Sequence, residues 1–349
     1  MSKVLVTGNA GFIGMRTVLA LRKEGHHVFG LDNLNEYYDV NLKYGRLQQQ
    51  GVPREEVQYG KILKVDEGLS FIRWNLEEKD GILQLFENEQ FDYVVHLAAQ
   101  AGVRYSLENP DVYVESNVKG FLNILEGCRR FKVKHLVYAS SSSVYGLNTE
   151  IPFNESHPTE HPVSLYAATK KANEMMAHSY AYLYNIPVTG LRFFTVYGPW
   201  GRPDMALFKF TRNILEGKPI DVYNFGNMER DFTYIDDIVN GIVKVLNHIP
   251  SKSNIEDPKD LSTNKSPAPY QIFNIGNSKP VKLTDFVTAL EEVFGIKAKV
   301  NMMPIQPGDV TTTFAELENL RKATGYHPNA NLKEGIKKFI DWYKAFYKT

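Results

Sequence analysis

The chain has 349 residues, more than the ~100–200 of a typical domain, so we expect one large domain or two interlocked domains. Its 40 basic residues balance its 40 acidic ones, which argues against nucleic acid or an anionic membrane surface as the main partner. A single cysteine, Cys128, excludes an internal disulfide and indicates a reducing compartment. No motif surrounds Cys128, so we interpret it as a small buried helical residue rather than a nucleophile.

The amino-terminal end passes from Met1 almost directly into strand-like apolar residues. This is too short for the apolar core of a signal peptide, and no later stretch approaches the ~20 apolar residues of a membrane span. We therefore expect a cytoplasmic protein with no membrane partner.

Apolar runs of strand length alternate with longer helical patterns, which is typical of a parallel sheet with crossover helices. The predicted strands are Lys3 to Thr7, Val28 to Asp32, Phe71 to Asn75, Tyr93 to Leu97, His135 to Ala139 and Val188 to Arg192. The predicted helices are Phe12 to Glu24, Asp111 to Phe131 and Leu165 to Asn185. The predicted fold class is α/β, with a doubly wound, mostly parallel sheet of the Rossmann type covered on both faces.

Two regions depart from this alternation. After about residue 195 the pattern becomes irregular, so we expect two parts. A dinucleotide-binding domain of the Rossmann type comprises residues 1–192 plus about 232–265. A smaller C-terminal α/β substrate lobe comprises about 193–231 plus 266–349. Residues 33–70 contain no clear strand, and so long an excursion is either functional or poorly ordered. Two interpretations of this segment remain: a lid over the site and a solvated surface extension.

A glycine-rich turn, with Gly8, Gly11 and Gly14, follows the first predicted strand and begins a helix. Glycine lets the backbone approach a pyrophosphate closely. The free amides at the start of the helix, around Phe12 and Ile13, attract phosphate groups. This turn therefore predicts a dinucleotide site.

Asp32 ends the next predicted strand and is followed by Asn33. A carboxylate at this position hydrogen-bonds ribose hydroxyls and repels a 2′-phosphate, so we expect both residues at the cofactor and favour NAD over NADP. The alternative is an aspartate that only begins a turn.

Tyr166 and Lys170 are four residues apart, on one face of a predicted helix. A free tyrosine, with a pKa near 10, is a poor base at neutral pH. A neighbouring ammonium and a positive nicotinamide both favour the phenolate, so we expect the pKa of Tyr166 to be lowered towards working pH.

A run of serines, Ser140 to Ser143, precedes Val144-Tyr145-Gly146 at the end of an earlier strand. With the glycine turn and the Tyr–Lys pair, this segment resembles the extended branch of the short-chain dehydrogenase/reductase family, which acts on nucleotide sugars. The resemblance implies that Ser141 hydrogen-bonds the reacting oxygen, with Ser142 as a further catalytic candidate. It also implies that Lys170 holds the nicotinamide ribose.

The same resemblance implies cofactor contacts after the third and fourth predicted strands. Asn75 and Leu76 stand where the family usually has Asp followed by an aliphatic residue, and Asn keeps an acceptor oxygen. Leu97, Ala98 and Ala99 resemble the segment that lines the cofactor ribose and diphosphate. His96, just before them, is interpreted as a core histidine with satisfied hydrogen bonds.

Ser142 and Ser143 also bear on the type of reaction. Related 4,6-dehydratases carry an Asp-Glu acid pair at these positions, and decarboxylating relatives carry a Glu in this segment. Without these acids, elimination lacks its general acid and base, so epimerisation or simple oxidation remains.

The stretch Leu191 to Ala206 resembles the substrate loop of the UDP-glucuronate 4-epimerases of this family, Gly-Pro-x-Gly-Arg-Pro-Asp-Met. The planar fork of Arg202 suits a sugar carboxylate, and Thr195 would help to orient it. Met205 lies in the same loop and is a further candidate. The alternative for Arg202 is a surface residue in a Pro/Gly turn.

Four more substrate candidates come from the resemblance. Arg104 is expected near the sugar, Arg230 at the UDP diphosphate, and Tyr223 and Asp309 at uridine. The family also pairs as homodimers through the helices around 111–131 and 165–185. No metal site and no nucleic-acid partner are expected.

The sequence therefore predicts an NAD-dependent isomerase that epimerises UDP-glucuronate at C4 to UDP-galacturonate. A UDP-hexose or UDP-N-acetylhexosamine(uronate) 4-epimerase stays open, because it would share everything except the need for Arg202. The serines at 142 and 143 argue against a 4,6-dehydratase. Retention of Ser141, Tyr166 and Lys170 argues against a catalytically inactive dinucleotide-sensing protein.

Overall fold

An eight-stranded sheet is at the centre of the computed structural model, which describes residues 1–255, 257, 259, 261–264 and 266–349. The strands are β1 Lys3–Thr7, β2 His27–Asp32, β3 Ile62–Asp66, β4 Leu69–Arg73, β5 Tyr93–His96, β6 His135–Ser141, β7 Val188–Phe193, β8 Thr195–Tyr197, β9 Ile220–Tyr223, β10 Glu229–Tyr234, β11 Tyr270–Ile275, β12 Pro280–Lys282 and β13 Val300–Met303. The strand order is β11-β7-β6-β5-β1-β2-β4-β3, and all neighbours are parallel except β3 and β4. The predicted doubly wound, mostly parallel sheet is confirmed.

Helices join these strands. They are α1 Phe12–Lys23, α2 Val40–Gln49, α3 Lys79–Glu89, α4 Tyr105–Glu108, α5 Asp111–Tyr113, α6 Gly120–Arg130, α7 Leu165–Tyr184, α8 Ala206–Leu215, α9 Ile235–Leu246, α10 Leu283–Phe294, α11 Glu318–Thr324 and α12 Leu332–Tyr347. A π-helical stretch, Val114–Lys119, joins α5 to α6, so the long helix predicted from Asp111 is continuous up to Arg130. None of the helices in the described part of the chain has the length and apolarity needed to cross a bilayer.

The central strands of the large sheet are buried on both faces. Along β1, Val4 and Val6 pack into one apolar cluster and Leu5 packs into another, and all three are fully buried. Successive side chains of a strand point to opposite faces, so a strand covered on both sides needs an unbroken apolar run. This explains why strands such as β1 could be predicted from the sequence.

The strand order reverses at β1, with β2 on one side and β5 on the other. In open parallel sheets, ligands bind at such a switch point, beyond the carboxyl ends of the strands. The glycine turn after β1, Asp32 at the end of β2 and Ser141 at the end of β6 all lie along this edge.

The excursion at residues 33–70 is more ordered than the sequence suggested. It contains α2, whose first turn is capped by Asp39 accepting from the amide of Asn41, and the edge strand β3. The prediction of no clear strand there was wrong, because β3 alternates exposed and half-buried residues and so lacks an apolar run.

The second lobe contains the three-stranded sheet β12-β10-β8, the parallel pair β13-β9, and an aromatic-rich cluster between α8, α10 and α12. One assignment needs correction: β11 falls in the range given to the substrate lobe, but it pairs with β7 in the large sheet. The predicted boundary at residue 265 lies outside the described residues. The division into two lobes otherwise stays a prediction.

Candidate active site

The glycine turn closes tightly between β1 and α1. Gly8 has a positive φ of 75°, and a Cβ placed on it would lie 2.8 Å from the amide nitrogen of Ala98. A Cβ on Gly14 would lie 2.0 Å from the carbonyl oxygen of Gly8. The amide of Gly11 donates to the same oxygen at 2.9 Å, and no side chain caps the start of α1. The turn therefore leaves helix amides free for phosphate, as the spacing predicted.

Asp32 lies at the end of β2, beside the switch point, and its side chain also hydrogen-bonds the glycine turn. One carboxylate oxygen accepts from the amide of Ala10 at 3.1 Å, and the other accepts from the amide of Leu34 at 2.8 Å. A carboxylate has about four acceptor positions, so capacity remains for ribose hydroxyls. Asn33, next in the chain, accepts from the amide of Asn35 and shapes the start of the excursion.

The predicted cofactor residues after β4 and β5 are placed at the same edge. Leu97 and Ala98 are tied to the end of β1 by backbone donation to the carbonyl and hydroxyl oxygens of Thr7, both at 3.2 Å. Ala99 is half-buried beside them. On the other side of β1, Asn75 is half-buried and Leu76 is buried, two and three residues after the end of β4.

Tyr166 and Lys170 project from the first turns of α7, which begins at Ser164, whose hydroxyl accepts from the amide of Ala167. Lys170 is buried and donates from Nζ to the carbonyl oxygen of Ala139 at 2.8 Å. Ala139 lies two residues before Ser141 on β6, so this bond fixes the pair beside the serine segment.

The expected lowering of the pKa of Tyr166 is not produced by the protein's own groups. Burial raises this pKa, although the positive charge of Arg202 and the hydroxyl of Ser141 act in the opposite direction. Burial also lowers the pKa of Lys170 to about 8. The difference from the prediction arises because burial removes both side chains from water, and this desolvation disfavours the charged form of each group.

The serine segment is ordered by its own hydroxyls. Ser141 Oγ donates to Ser143 Oγ at 3.1 Å and accepts from the amide of Ser143 at 3.2 Å. Ser142 is half-buried at the start of the following 3-10 turn. Because the hydroxyl of Ser141 acts on the pKa of Tyr166, these two predicted catalytic groups are neighbours.

A buried ionic network beneath the site was missed by the sequence analysis. Glu174, one turn beyond Lys170, accepts from Arg192 Nε and Nη2, both at 2.9 Å, and from the hydroxyl of Ser140 at 2.7 Å. Glu174 and Arg192 are both fully buried. The network fastens α7 to β6 and β7, next to the catalytic candidates. No local pattern signals it, because its members are far apart in the chain.

Arg202 already has a partner within the chain. Its guanidinium donates from Nε to Asp204 at 3.0 Å and from Nη2 to the second oxygen of that carboxylate. Tyr37, from the excursion, donates to Asp204 at 3.4 Å. Burial would lower the pKa of Arg202, but Asp204 raises it, and Tyr166 is close enough to contribute to the same increase. Arg202 is therefore a part-buried cation near Tyr166 rather than a surface residue.

Thr195 and Met205 lie at the two ends of the Arg202 segment. Thr195 begins β8 and is paired in register with Phe232 of β10. Met205 is half-buried at the start of α8, and its amide donates to the carbonyl oxygen of Arg202 at 3.2 Å. These positions hold the loop without showing a contact between Thr195 and Arg202.

The four remaining substrate candidates come together at one place. Arg104 donates to Asp309 at 2.8 Å, and its guanidinium lies 4.3 Å from the ring centroid of Tyr223. The charges of Asp309 and Arg104 both act on the pKa of Arg230, which burial lowers. Arg104 thus contacts two of the residues expected at uridine, and its predicted place near the sugar stays a prediction.

Two titratable residues, His96 and Cys128, are enclosed in the core, as the sequence predicted. His96 is buried, with Nδ1 2.8 Å from the hydroxyl of Thr7, and burial lowers its pKa to about 3. Cys128 is buried in α6, where desolvation raises the pKa of its thiol. In the part of the chain that the structure describes, no group of three or more His, Cys, Asp or Glu side chains is arranged to hold a metal ion.

The glycine turn at the switch point of a parallel sheet, together with the Tyr–Lys pair on α7, places the chain among the short-chain dehydrogenases/reductases. More narrowly, the chain belongs to the NAD dependent epimerase/dehydratase family, because the model of that family matches residues 4–276. The residues present fit NAD: the glycine turn has no room for side chains, and Asp32 puts a carboxylate where a 2′-phosphate would be repelled.

Individual relatives cover the whole chain. The chain is 50% identical to protein CapI of Staphylococcus aureus over 346 residues, which are 99% of both proteins. It is 46% identical to a probable UDP-glucuronate 4-epimerase of Rhizobium meliloti, over 99% of this chain and 98% of that protein. It is similar in structure to UDP-glucuronic acid 4-epimerase from Bacillus cereus in complex with UDP-glucuronic acid and NAD, with a TM-score of 0.84, 32% identity and coverage of 99% and 100%.

Proposed function

We propose that this protein interconverts UDP-glucuronate and UDP-galacturonate by epimerisation at C4. The observation that carries the proposal is the position of Arg202, a part-buried cation close enough to lower the pKa of the Tyr166 phenol. In a uronate the carboxylate is attached to C5, next to the reacting C4 hydroxyl. A base and a carboxylate-binding cation side by side fit that arrangement.

The reaction needs a base at the C4 hydroxyl and a hydride acceptor at C4. The glycine turn and Asp32 would hold NAD, which would supply a reversible hydride acceptor for C4, so that hydride removed from one face of the sugar could be restored on the other. Tyr166 takes the hydroxyl proton and returns it, and Ser141 hydrogen-bonds the same oxygen. Lys170, four residues after Tyr166 on α7, is fixed by its bond to Ala139, and in this mechanism its ammonium supports the phenolate.

The 4-keto intermediate carries a hazard. A C4 ketone next to the carboxylate-bearing C5 is a β-keto acid, which loses carbon dioxide when the breaking bond stands perpendicular to the carbonyl plane. Arg202 restrains the carboxylate outside that alignment, with Thr195 assisting. Because Asp204 occupies Nε and one Nη2 hydrogen, the guanidinium keeps three further donor hydrogens for the substrate.

A neutral UDP-hexose or UDP-N-acetylhexosamine 4-epimerase is the second candidate. The pairing of Arg202 with Asp204 favours it, because the charge of Arg202 is already compensated within the chain. The two candidates differ in whether removal of the sugar carboxylate abolishes turnover.

The deciding experiment incubates the purified protein with UDP-glucuronate and no added NAD, with products identified by NMR. UDP-galacturonate accumulating to a stable ratio supports the reaction and a retained cofactor. Unchanged UDP-glucuronate after NAD addition, with epimerisation of UDP-glucose or UDP-N-acetylglucosamine, contradicts the uronate assignment and favours the second candidate.

We also propose that the protein works in the cytoplasm as a homodimer. The proposed interface is formed by the helical segment at 111–130 and by α7. Its support is the exposure of large apolar side chains on these helices: Val114, Leu122, Met175, Tyr182 and Leu183. Helices that expose such residues commonly pack against a partner.

A further inference from the structure

Arg46, on α2, links the glycine turn to the Arg202 segment. It is fully buried, and its Nη1 donates to the carbonyl oxygen of Ala10, inside the glycine turn, at 3.1 Å. Its Nε and Nη2 donate to the carbonyl oxygen of Trp200 at 3.1 and 2.7 Å, and Nη2 also donates to that of Gly201 at 3.2 Å. One side chain therefore bonds both loops that meet at the site.

The chemistry of Arg46 matches this bridging role. It forms no salt bridge with the residues that the structure describes, so neutral acceptors stabilise its buried charge: three carbonyl oxygens and the hydroxyl of Tyr38. A buried cation is costly unless hydrogen bonds satisfy it. A guanidinium presents five donors on three nitrogens in a fixed plane and so spans acceptors on separate segments, whereas an ammonium presents its three donors from a single atom.

Trp200 shows why the Arg202 segment needs such support. Its φ is +68°, a conformation that bulky side chains rarely adopt, and it directs the chain into Gly201 and Arg202. The indole packs on Trp342 and Phe346 of α12, with ring centroids 5.1 and 5.0 Å apart. A Cβ on Gly45 of α2 would lie 2.8 Å from the indole, so α2 lies directly against it. Strained backbone of this kind persists only where the surrounding contacts enforce it.

We propose that Arg46 is a positioning residue that fixes the position of the Arg202 guanidinium relative to the glycine turn of the dinucleotide site. The proposal rests on the proposed function, since it treats Arg202 as the group that binds the sugar carboxylate. Arg46 touches neither substrate nor reacting atoms and acts through two backbone segments. The excursion at residues 33–70 then determines specificity rather than serving only as a decoration.

The test compares Arg46→Met with Arg22→Met. Arg22 also holds the excursion, by donating to the carbonyl oxygen of Gln50 at 3.1 Å and pairing with Asp66, but it contacts neither loop. Two quantities are measured: the ratio of Kd values for UDP-glucuronate and UDP-glucose by calorimetry, and the NAD retained per chain after gel filtration. UDP-glucose keeps the nucleotide and lacks the carboxylate.

We expect Arg46→Met to lower the preference for UDP-glucuronate roughly tenfold and to reduce the retained NAD, with Arg22→Met unchanged in both. An unchanged preference or unchanged NAD retention in Arg46→Met overturns the link, and so does an equal loss in Arg22→Met. If Arg46→Met is insoluble, Arg46→Lys is measured in the same way, and wild-type values for it overturn the proposal. Product NMR on the wild type separately tests the proposed reaction, so failure of one is distinguishable from failure of the other.

Discussion

At Tyr166, opposing influences act on a single proton. Burial favours the neutral phenol, and Arg202 and Ser141 favour the phenolate. Lys170 is held by Ala139 and has a pKa lowered to about 8 by burial. A base with a raised pKa and a neighbouring ammonium with a lowered one function together over a limited pH range.

This arrangement predicts a decline in activity above about pH 8. The lowered pKa of Lys170 means that the ammonium is present below about pH 8 and is lost as the pH rises through that value. The quantity to measure is kcat/KM against pH, which reports ionisations of the free enzyme. Lys170→Arg stays charged, so its profile should be slower but lack this alkaline decline. The same decline in Lys170→Arg would show that another group titrates.

Arg202 predicts a selective effect on uronates. Arg202→Ala should lower kcat/KM for UDP-glucuronate by roughly 100-fold, since two charge-assisted hydrogen bonds are lost, and should increase UDP-pentose by-products. As a comparison, Arg104→Ala removes the side chain that contacts Tyr223 and Asp309, and it should weaken the binding of UDP-glucuronate and of UDP-glucose to the same extent. Adding Asp204→Asn to Arg202→Ala controls for the carboxylate left unpaired. No increase in UDP-pentose in either Arg202 variant would contradict restraint by this residue.

At the scale of elements, α7 carries the proposed catalytic pair, Tyr166 and Lys170, and buried charge ties this helix to the sheet. Glu174 is bound by Arg192 of β7 and Ser140 of β6, so α7 is tied to two strands of the sheet. Burial would raise the pKa of Glu174, but Arg192 keeps it below its usual value. A buried pair of this kind sets the register of a helix on a sheet, even where an apolar pair would be equally stable.

Breaking this pair from one side should destabilise the fold. Arg192→Met removes the bidentate partner of the buried Glu174 carboxylate and leaves it only the ammonium of Lys171, at 3.5 Å, so we expect a loss of about 3 kcal/mol in the free energy of unfolding. The double variant Arg192→Met with Glu174→Gln should recover much of that loss, because no buried carboxylate is left without its guanidinium and Lys171 is partly exposed to solvent. Urea unfolding of the two variants checks this. Equal stability of the single and double variants would mean that the ionic network contributes little.

At the scale of the whole molecule, the segment that carries Arg202 lies between the excursion and α12. The excursion contacts it from the nucleotide side through Tyr37 and Arg46. On the other side, Trp200 packs against α12 of the second lobe. Contacts from the excursion and from α12 therefore both influence where Arg202 lies.

The proposed dimer is tested at this scale as well. Met175→Glu, on the exposed apolar face of α7, should convert the protein to monomers at micromolar concentration, because a charge would be buried at the interface. Light scattering coupled to gel filtration measures the mass against the 39.8 kDa of one chain. Phe225→Glu, also exposed but outside these helices, is the matched control. A monomeric wild type would dismiss the dimer.

The sequence by itself determined the parallel sheet and the identity of the catalytic candidates. Strands such as β1 are covered on both faces, so their apolar runs are readable, and the glycine turn and the Tyr–Lys pair are local patterns. Only the tertiary structure decided that Asp204 pairs with Arg202, that Arg46 bridges two loops, and that burial raises the pKa of Tyr166. Long-range contacts and desolvation depend on which segments come together in space, and the spacing of residues along the chain does not carry that information.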